Sequence, residues 1–429
     1  MASSDASKPP ATGRLSRLLQ LRPMRILRGA SWIVALRGVR QLTMLVTYYV
    51  MVRALEVDIF GAYGVFVALI ALFAMTTFPG LNNATTQCAA RGEMGMYREA
   101  VRWSLLGSLG GSVFCLGAAG YFHAFGGQPA LALAFVGAAI LFPLSHGMLQ
   151  WRNVLMGQEK FASFFVFGAA TAILNMGLIV IGVSVFPDEL LVPAMVVLAG
   201  PAIFNVAMTL ATTRRIERSG DHREAIRYGL RTSGYLALNN VANQLDKILI
   251  FTIFTPELAA IYVVAERASE LVKAVVQDLG ATLVPRFARM VSYSGNLDRK
   301  LKLAAAGISC LVLLVAFTVL PPAMLLLFSE KYADSIVIAQ GLMVSVAIGN
   351  FATLRYRYMT SKLDSASVRD VTIVMSVVRI VSSLILVPMF GLWGAVAAAV
   401  VYRLSSAAVT SYALRKRHFR KEETQAEPS

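Results

Sequence analysis

The chain has 429 residues, 57% of them hydrophobic and only 15% charged, with a mean hydropathy of +0.63 and a formal net charge of +16. A soluble domain carries about a quarter charged residues, so the composition argues against a water-soluble enzyme and for an all-α polytopic membrane protein. The three cysteines, Cys88, Cys115 and Cys310, are too widely spaced to suggest a disulfide framework or a zinc motif, and no cofactor is expected.

Residues 1–29 form a basic tail, "RLSRLLQLRPMRILR" at its centre, with no apolar core ahead of a small-residue cleavage site. No cleavable signal is expected there. The tail reads either as a flank that sets orientation or as a basic amphipathic helix on the inner leaflet. Twelve apolar runs of about 20 residues follow. They cover 31–53, 59–78, 100–122, 129–151, 161–186, 189–211, 230–254, 257–284, 303–328, 333–354, 368–389 and 391–413. Of the 40 Lys and Arg residues, 31 fall in the two tails and the even-numbered connections, and two, Arg53 and Lys331, in the odd-numbered ones. This asymmetry predicts both termini in the cytoplasm and supports an even number of spans. It also explains the basic balance without nucleic acid. Pro143 and Pro201 fall inside spans four and six and predict kinks. His146, alone in an apolar segment, reads as a satisfied buried side chain.

A weak internal repeat divides the chain. Superposing Tyr63 of "RALEVDIFGAYGVF" on Tyr262 of "IFTPELAAIYVVAE" gives an offset of 199 residues, and "GLNNATTQCAAR" meets "DLGATLVPRFAR" at an offset of 198. Six helices plus six, of one orientation, are related by a pseudo-two-fold axis along the membrane normal. The expected organisation is an N-lobe over 30–211, a basic linker over 212–229, a C-lobe over 230–413 and a tail over 414–429.

These segments carry a resemblance. "VRALEVDIFGAYG", with Arg53, Leu55, Asp58, Phe60, Gly61 and Tyr63, "FPGLNNATTQCAARGE", "ANQLDKILIFTIFTPELAAIYVVAERASELV", with Asp246, Tyr262 and Ala265, and "VPMFGLWGAVAAAVVYRL", with Pro388, Gly391 and Gly394, follow in order along nearly the whole chain. The chain resembles the Wzx-type oligosaccharide flippases of the multidrug/oligosaccharidyl-lipid/polysaccharide (MOP) exporter superfamily. The resemblance implies a MATE-like fold, a bacterial cytoplasmic (inner) membrane location and a polyprenyl-diphosphate-linked oligosaccharide as substrate, with glycan polymerase or assembly proteins as possible partners.

Seven basic residues remain inside the spans: Arg37, Arg40, Lys247, Arg267, Lys273, Arg379 and Arg403. Embedded ionisable groups usually face a bundle interior or a wet cavity. Helical rise puts Asp246 and Lys247 at a similar depth to Glu266 and Arg267, so Asp246 could pair with Arg267, and Lys247 with Glu266. Glu266, Glu270, Lys273 and Gln277 share one helical face, and Asn239, Asn243 and Asp246 form a polar stripe facing it. These side chains read either as ion pairs that fix the hairpin or as a hydrophilic cavity wall. Asp246, Glu266 and Glu270 are also candidates for ion coupling. Arg37, Arg40 and Arg403 have no carboxylate in their own spans, and Arg379 has none nearer than Asp370 at the edge of its span. Arg37 is close enough to the membrane edge to snorkel. With Lys273, the arginines are expected to hold an anionic headgroup, because guanidinium keeps its charge and grips phosphate through two parallel hydrogen bonds.

Three other functions compete. A cation-coupled drug exporter of the same superfamily would keep a carboxylate in the first lobe, and none lies in the interior of spans one to six, Glu189 standing at the very edge of span six. A glycan polymerase or ligase would need a sizeable outer loop with acid–base residues, and the outer connections are short. A non-transporting assembly partner would leave the inward arginines unexplained.

Overall fold

The computed structural model describes residues 12–216, 220, 222–282, 287, 290, 295–361 and 365–414; the sequence-predicted tail over 414–429 and part of the linker lie outside the described residues. Every element among them is helical. The N-lobe comprises α1 (Thr12–Ala54), α2 (Val57–Phe73), α3 (Gly80–Ala90), α4 (Met96–Ala124), α5 (Pro129–Phe142), α6 (Trp151–Gly157), α7 (Phe161–Val185) and α8 (Leu191–Arg215). The C-lobe comprises α9 (Arg223–Ile253), α10 (Pro256–Thr282), α11 (Gly295–Thr318), α12 (Leu320–Phe328), α13 (Asp334–Ser361) and α14 (Ser365–Leu414). Among the described residues eight segments are long and apolar enough to cross a membrane, and one of them, Arg369–Leu414, is long enough to cross twice. The remaining crossings are α1, α9 and α10, the three helices whose embedded charges lower their hydropathy. The chain is therefore a two-lobed bundle of about twelve membrane helices, as the spacing of apolar runs predicts.

Local chemistry explains the breaks. The second crossing extends past its predicted end. Phe78 takes a left-handed backbone (φ 56°) and Pro79 follows, so α2 stops through a 3-10 turn and α3 restarts toward the basic loops. Pro143 opens a π-helical turn, Pro143–Gly147, which separates α5 from α6. Pro201, by contrast, lies within an uninterrupted α8. Gly391, at φ 56° and ψ −129°, is the hairpin between the last two crossings, in a region of backbone space open essentially to glycine alone. His146 stacks on Phe142, with ring centroids 4.7 Å apart, and its Nδ1 lies 2.8 Å from the Ser145 hydroxyl, as a satisfied side chain should.

The lobes touch at two levels. At the end away from the basic loops, a Cβ on Gly61 would sit 1.9 Å from the Pro256 carbonyl oxygen, so only glycine permits this approach of α2 to α10. Phe60 packs edge-on against Tyr332 at 5.9 Å, and Arg53 donates to the Leu326 carbonyl at 2.9 Å. Toward the basic loops, α3 meets α9: Gly80 N–H donates to Ser233 Oγ at 3.0 Å, and a Cβ on Gly80 would fall 2.1 Å from the Gly229 carbonyl oxygen. The 199-residue repeat equates buried Ser233 with Val34 of α1, which is 63% exposed.

Candidate translocation cavity

α9 and α10 form the antiparallel hairpin that carries most of the embedded charge. Lys247 donates to Glu266 at 2.7 Å, the pair expected from their matching depths. Asp246 does not pair with Arg267. Its Oδ2 takes Arg379 from α14 at 3.1 Å and the Tyr262 hydroxyl at 3.2 Å. Arg267 instead holds Glu270 at 2.6 Å, one helical turn on, and reaches across the lobes to the Tyr48 hydroxyl of α1 at 3.0 Å. Arg379 also donates to Asn243 Oδ1 at 3.2 Å. An arginine read from its own span as lacking a carboxylate therefore has one, supplied by a helix 133 residues away in sequence.

Except for Asp246, which is buried behind Arg379, and Tyr48, these groups line a polar cavity of about 280 Å³ within the C-lobe, together with Asn240, Lys273, Tyr402 and Arg403. Lys273 and Arg403 have no carboxylate within ion-pair distance among the described residues. Tyr402 is flanked by two guanidiniums, Arg403 at 4.9 Å and Arg379 at 5.3 Å from its ring centre, an arrangement that holds cations without neutralising them. Gly349 makes room for one of them, since a Cβ there would come within 2.7 Å of Arg403 Cδ. Asn243 lies on the wall as the polar stripe predicts; Asn239 and Gln277 are not among its lining residues, and Asn240 and Gln244 are. Asn240 also donates to the Ala71 carbonyl of the N-lobe at 2.7 Å.

A second cavity, of about 350 Å³, lies on the N-lobe side. Arg40, Arg152, Thr171, Asn175 and Tyr48 line it, and Arg267 lines both cavities. The Arg267–Tyr48 bond thus stands between two basic compartments. Arg37 is exposed on α1 and does not line either one. Two members escaped the sequence reading. Arg152 was counted with a basic loop, but the π-turn after Pro143 brings it beside the cavity of Arg40, where its buried Nε finds no partner among the described residues. Tyr402 had only its adjacency to Arg403 to mark it.

Several solved structures share this architecture. An inward-facing multidrug resistance MATE family transporter of the MOP superfamily aligns with TM-score 0.66 at 16% identity, over 92% of this chain and 99% of that one. An outward-facing structure so described aligns with TM-score 0.59 at 18% identity, over 92% and 97%. A MOP superfamily transporter from Pyrococcus furiosus, described as having a binding pocket of reversed polarity that suggests a different function, aligns with TM-score 0.59 at 16% identity, over 92% and 95%. No curated protein matches the chain. The sequence model of the polysaccharide biosynthesis protein family matches residues 26–291, the whole N-lobe with the α9–α10 hairpin. With its match covering well over half the chain, and its two-lobed helical bundle, the protein belongs to the polysaccharide biosynthesis protein family.

Proposed function

We propose that the protein is a flippase that moves polyprenyl-diphosphate-linked oligosaccharide units, such as O-antigen, capsule or exopolysaccharide repeats, from the cytoplasmic to the outer leaflet by alternating access. The observation that carries this reading is the excess of cation in the C-lobe cavity. Lys247, Arg267 and Arg379 each have a carboxylate, whereas Lys273 and Arg403 face the same space with none among the described residues. Uncompensated guanidinium and ammonium in a wet chamber favour an anionic guest, and a diphosphate supplies the charge and the acceptor oxygens. Arg40 and Arg152 offer a second basic surface across the Arg267–Tyr48 bond.

Asn240, Asn243, Gln244 and Tyr402 supply the hydroxyl- and amide-matching surface that sugars need. The prenyl tail stays in the bilayer and enters between α1 and α10, where Val34 is exposed. An inside-negative potential helps outward movement of the anion, by about 2.3 kcal/mol per charge per 100 mV. The fold is shared with multidrug transporters, but the first lobe lacks the embedded carboxylate that cation coupling would use.

A strain lacking the protein should accumulate lipid-linked oligosaccharide on the cytoplasmic leaflet, and the wild-type chain should clear it. Arg403→Ala and Lys273→Ala, checked for monodisperse behaviour in detergent, should reduce surface glycan tenfold or more. Normal surface glycan with both residues replaced at once would remove the proposal.

A further inference from the structure

A separate cavity, of about 590 Å³, opens where α3 meets the start of α9, away from the embedded charges. It holds the only grouping of three potential metal-ligating side chains among the described residues. Cys88 Sγ, a Glu93 carboxylate oxygen and a ring nitrogen of His222 all lie within 4.8 Å of one another. We propose that Cys88, Glu93 and His222 bind a single Zn2+-type transition-metal ion that joins the two lobes on the face of the basic loops.

Local structure builds the site from both sides. α3 ends at Ala90, and Gly92 takes a left-handed backbone at φ 84°. That turn folds the chain back so that Glu93 N–H donates to the Cys88 carbonyl at 2.9 Å, which returns the carboxylate to the side of the thiol. His222 comes from the other lobe, in the residue that precedes α9. The close approach of Gly80 to Gly229 sets the register between the two helices. Cys88 lies eight residues beyond Gly80, and His222 seven residues before Gly229. At 1.5 Å per residue both are roughly 10–12 Å from that crossing and toward the same end. The ligands therefore meet because the lobes meet.

The donor set chooses the metal. Thiolate, imidazole and carboxylate together favour Zn2+ and its neighbours over Mg2+ or Ca2+, which prefer all-oxygen shells. A tetrahedral ion with bonds of roughly 2.0–2.3 Å needs its ligand atoms roughly 3.3–3.8 Å apart, a spacing that side-chain rotation within the trio's 4.8 Å limit can supply. Arg91 and Arg223 line the same cavity and oppose a cation, while Glu224 favours it. Two anionic ligands balance the ion itself, and a water can complete the shell. Because the ligands belong to both lobes, the ion binds best when α3 and α9 are in contact and favours that arrangement over any in which they part.

The test uses the full-length protein purified in detergent and titrated with Co2+, whose bond to a thiolate gives a near-ultraviolet charge-transfer band. The wild type should develop that band to one equivalent and lose it on addition of Zn2+. A Cys115→Ser/Cys310→Ser variant, which keeps Cys88 as its one thiol, should retain the band. Cys88→Ser should abolish it, and Glu93→Gln and His222→Asn should each weaken binding at least tenfold. Absence of the band in the Cys88-only variant, its survival in Cys88→Ser, or unchanged affinity in His222→Asn would overturn the proposal.

Discussion

Lys247 and Glu266 show how buried charge behaves in this protein. Their side chains are 7% and 13% exposed and bond to each other at 2.7 Å. Removing one partner strands the other, at a cost of about 3–5 kcal/mol, while replacing both with neutral groups of similar size is close to neutral. Lys247→Ala should therefore lower the thermal midpoint sharply in a detergent unfolding assay, and Lys247→Met combined with Glu266→Gln should recover most of the loss. Equal damage from the single and the double change would show that the pair is coupled to more than its own charge. The same reasoning separates Arg379 from Arg403. Arg379→Ala leaves Asp246 with only the Tyr262 hydroxyl, so it should lower stability as well as transport. Arg403→Ala removes a cation with no carboxylate partner among the described residues, so it should lower transport at nearly unchanged stability. The Lys247–Glu266 pair was legible in the sequence because both lie on one short hairpin. The Asp246–Arg379 pair was not, because the helical positions of two distant spans say nothing of which faces meet.

Glycine does its work at the level of the helices. Gly391 ends one crossing and starts the next in a backbone conformation that other residues reach only with strain of about 1–3 kcal/mol. Gly391→Ala should reduce the yield of folded protein by several-fold, as measured by the monodisperse fraction in detergent. Gly61 acts differently, because its helical backbone is ordinary and its role is to let α2 lie against α10. Gly61→Val should pry the lobes apart at that end, visible as increased thiol labelling of a reporter cysteine placed at Ala260. The glycines of these motifs could be picked out in the sequence through family resemblance. Their separate reasons, a hairpin at one and an inter-lobe approach at the other, needed coordinates. The break at Phe78–Pro79 falls where the second apolar run ends, but the restart as α3 was not read, because Gly80–Ala90 is too polar and short to register as a span.

For the whole molecule, the proposed alternating-access cycle would open the contacts at Gly61 and at Gly80 in turn. A bifunctional thiol reagent that bridges Phe60→Cys and Tyr332→Cys, in a background with the native cysteines replaced, should therefore block glycan export, and reduction of a cleavable version should restore it. Export at the normal rate with the bridge in place would rule out separation of the lobes there. Twelve apolar stretches and a 31-to-2 division of basic residues were enough for the number of crossings and the expected orientation, and the repeat at 199 residues for the expected two lobes. Those properties depend on transfer of each segment between water and lipid, which adds up residue by residue. Which charges cancel, which stay open to a guest, and that Cys88, Glu93 and His222 converge from two lobes depend instead on helix rotation and inter-lobe approach. Such properties belong to pairs of surfaces, and beyond neighbours on one hairpin, such as Lys247 and Glu266, spacing along the chain does not reveal them.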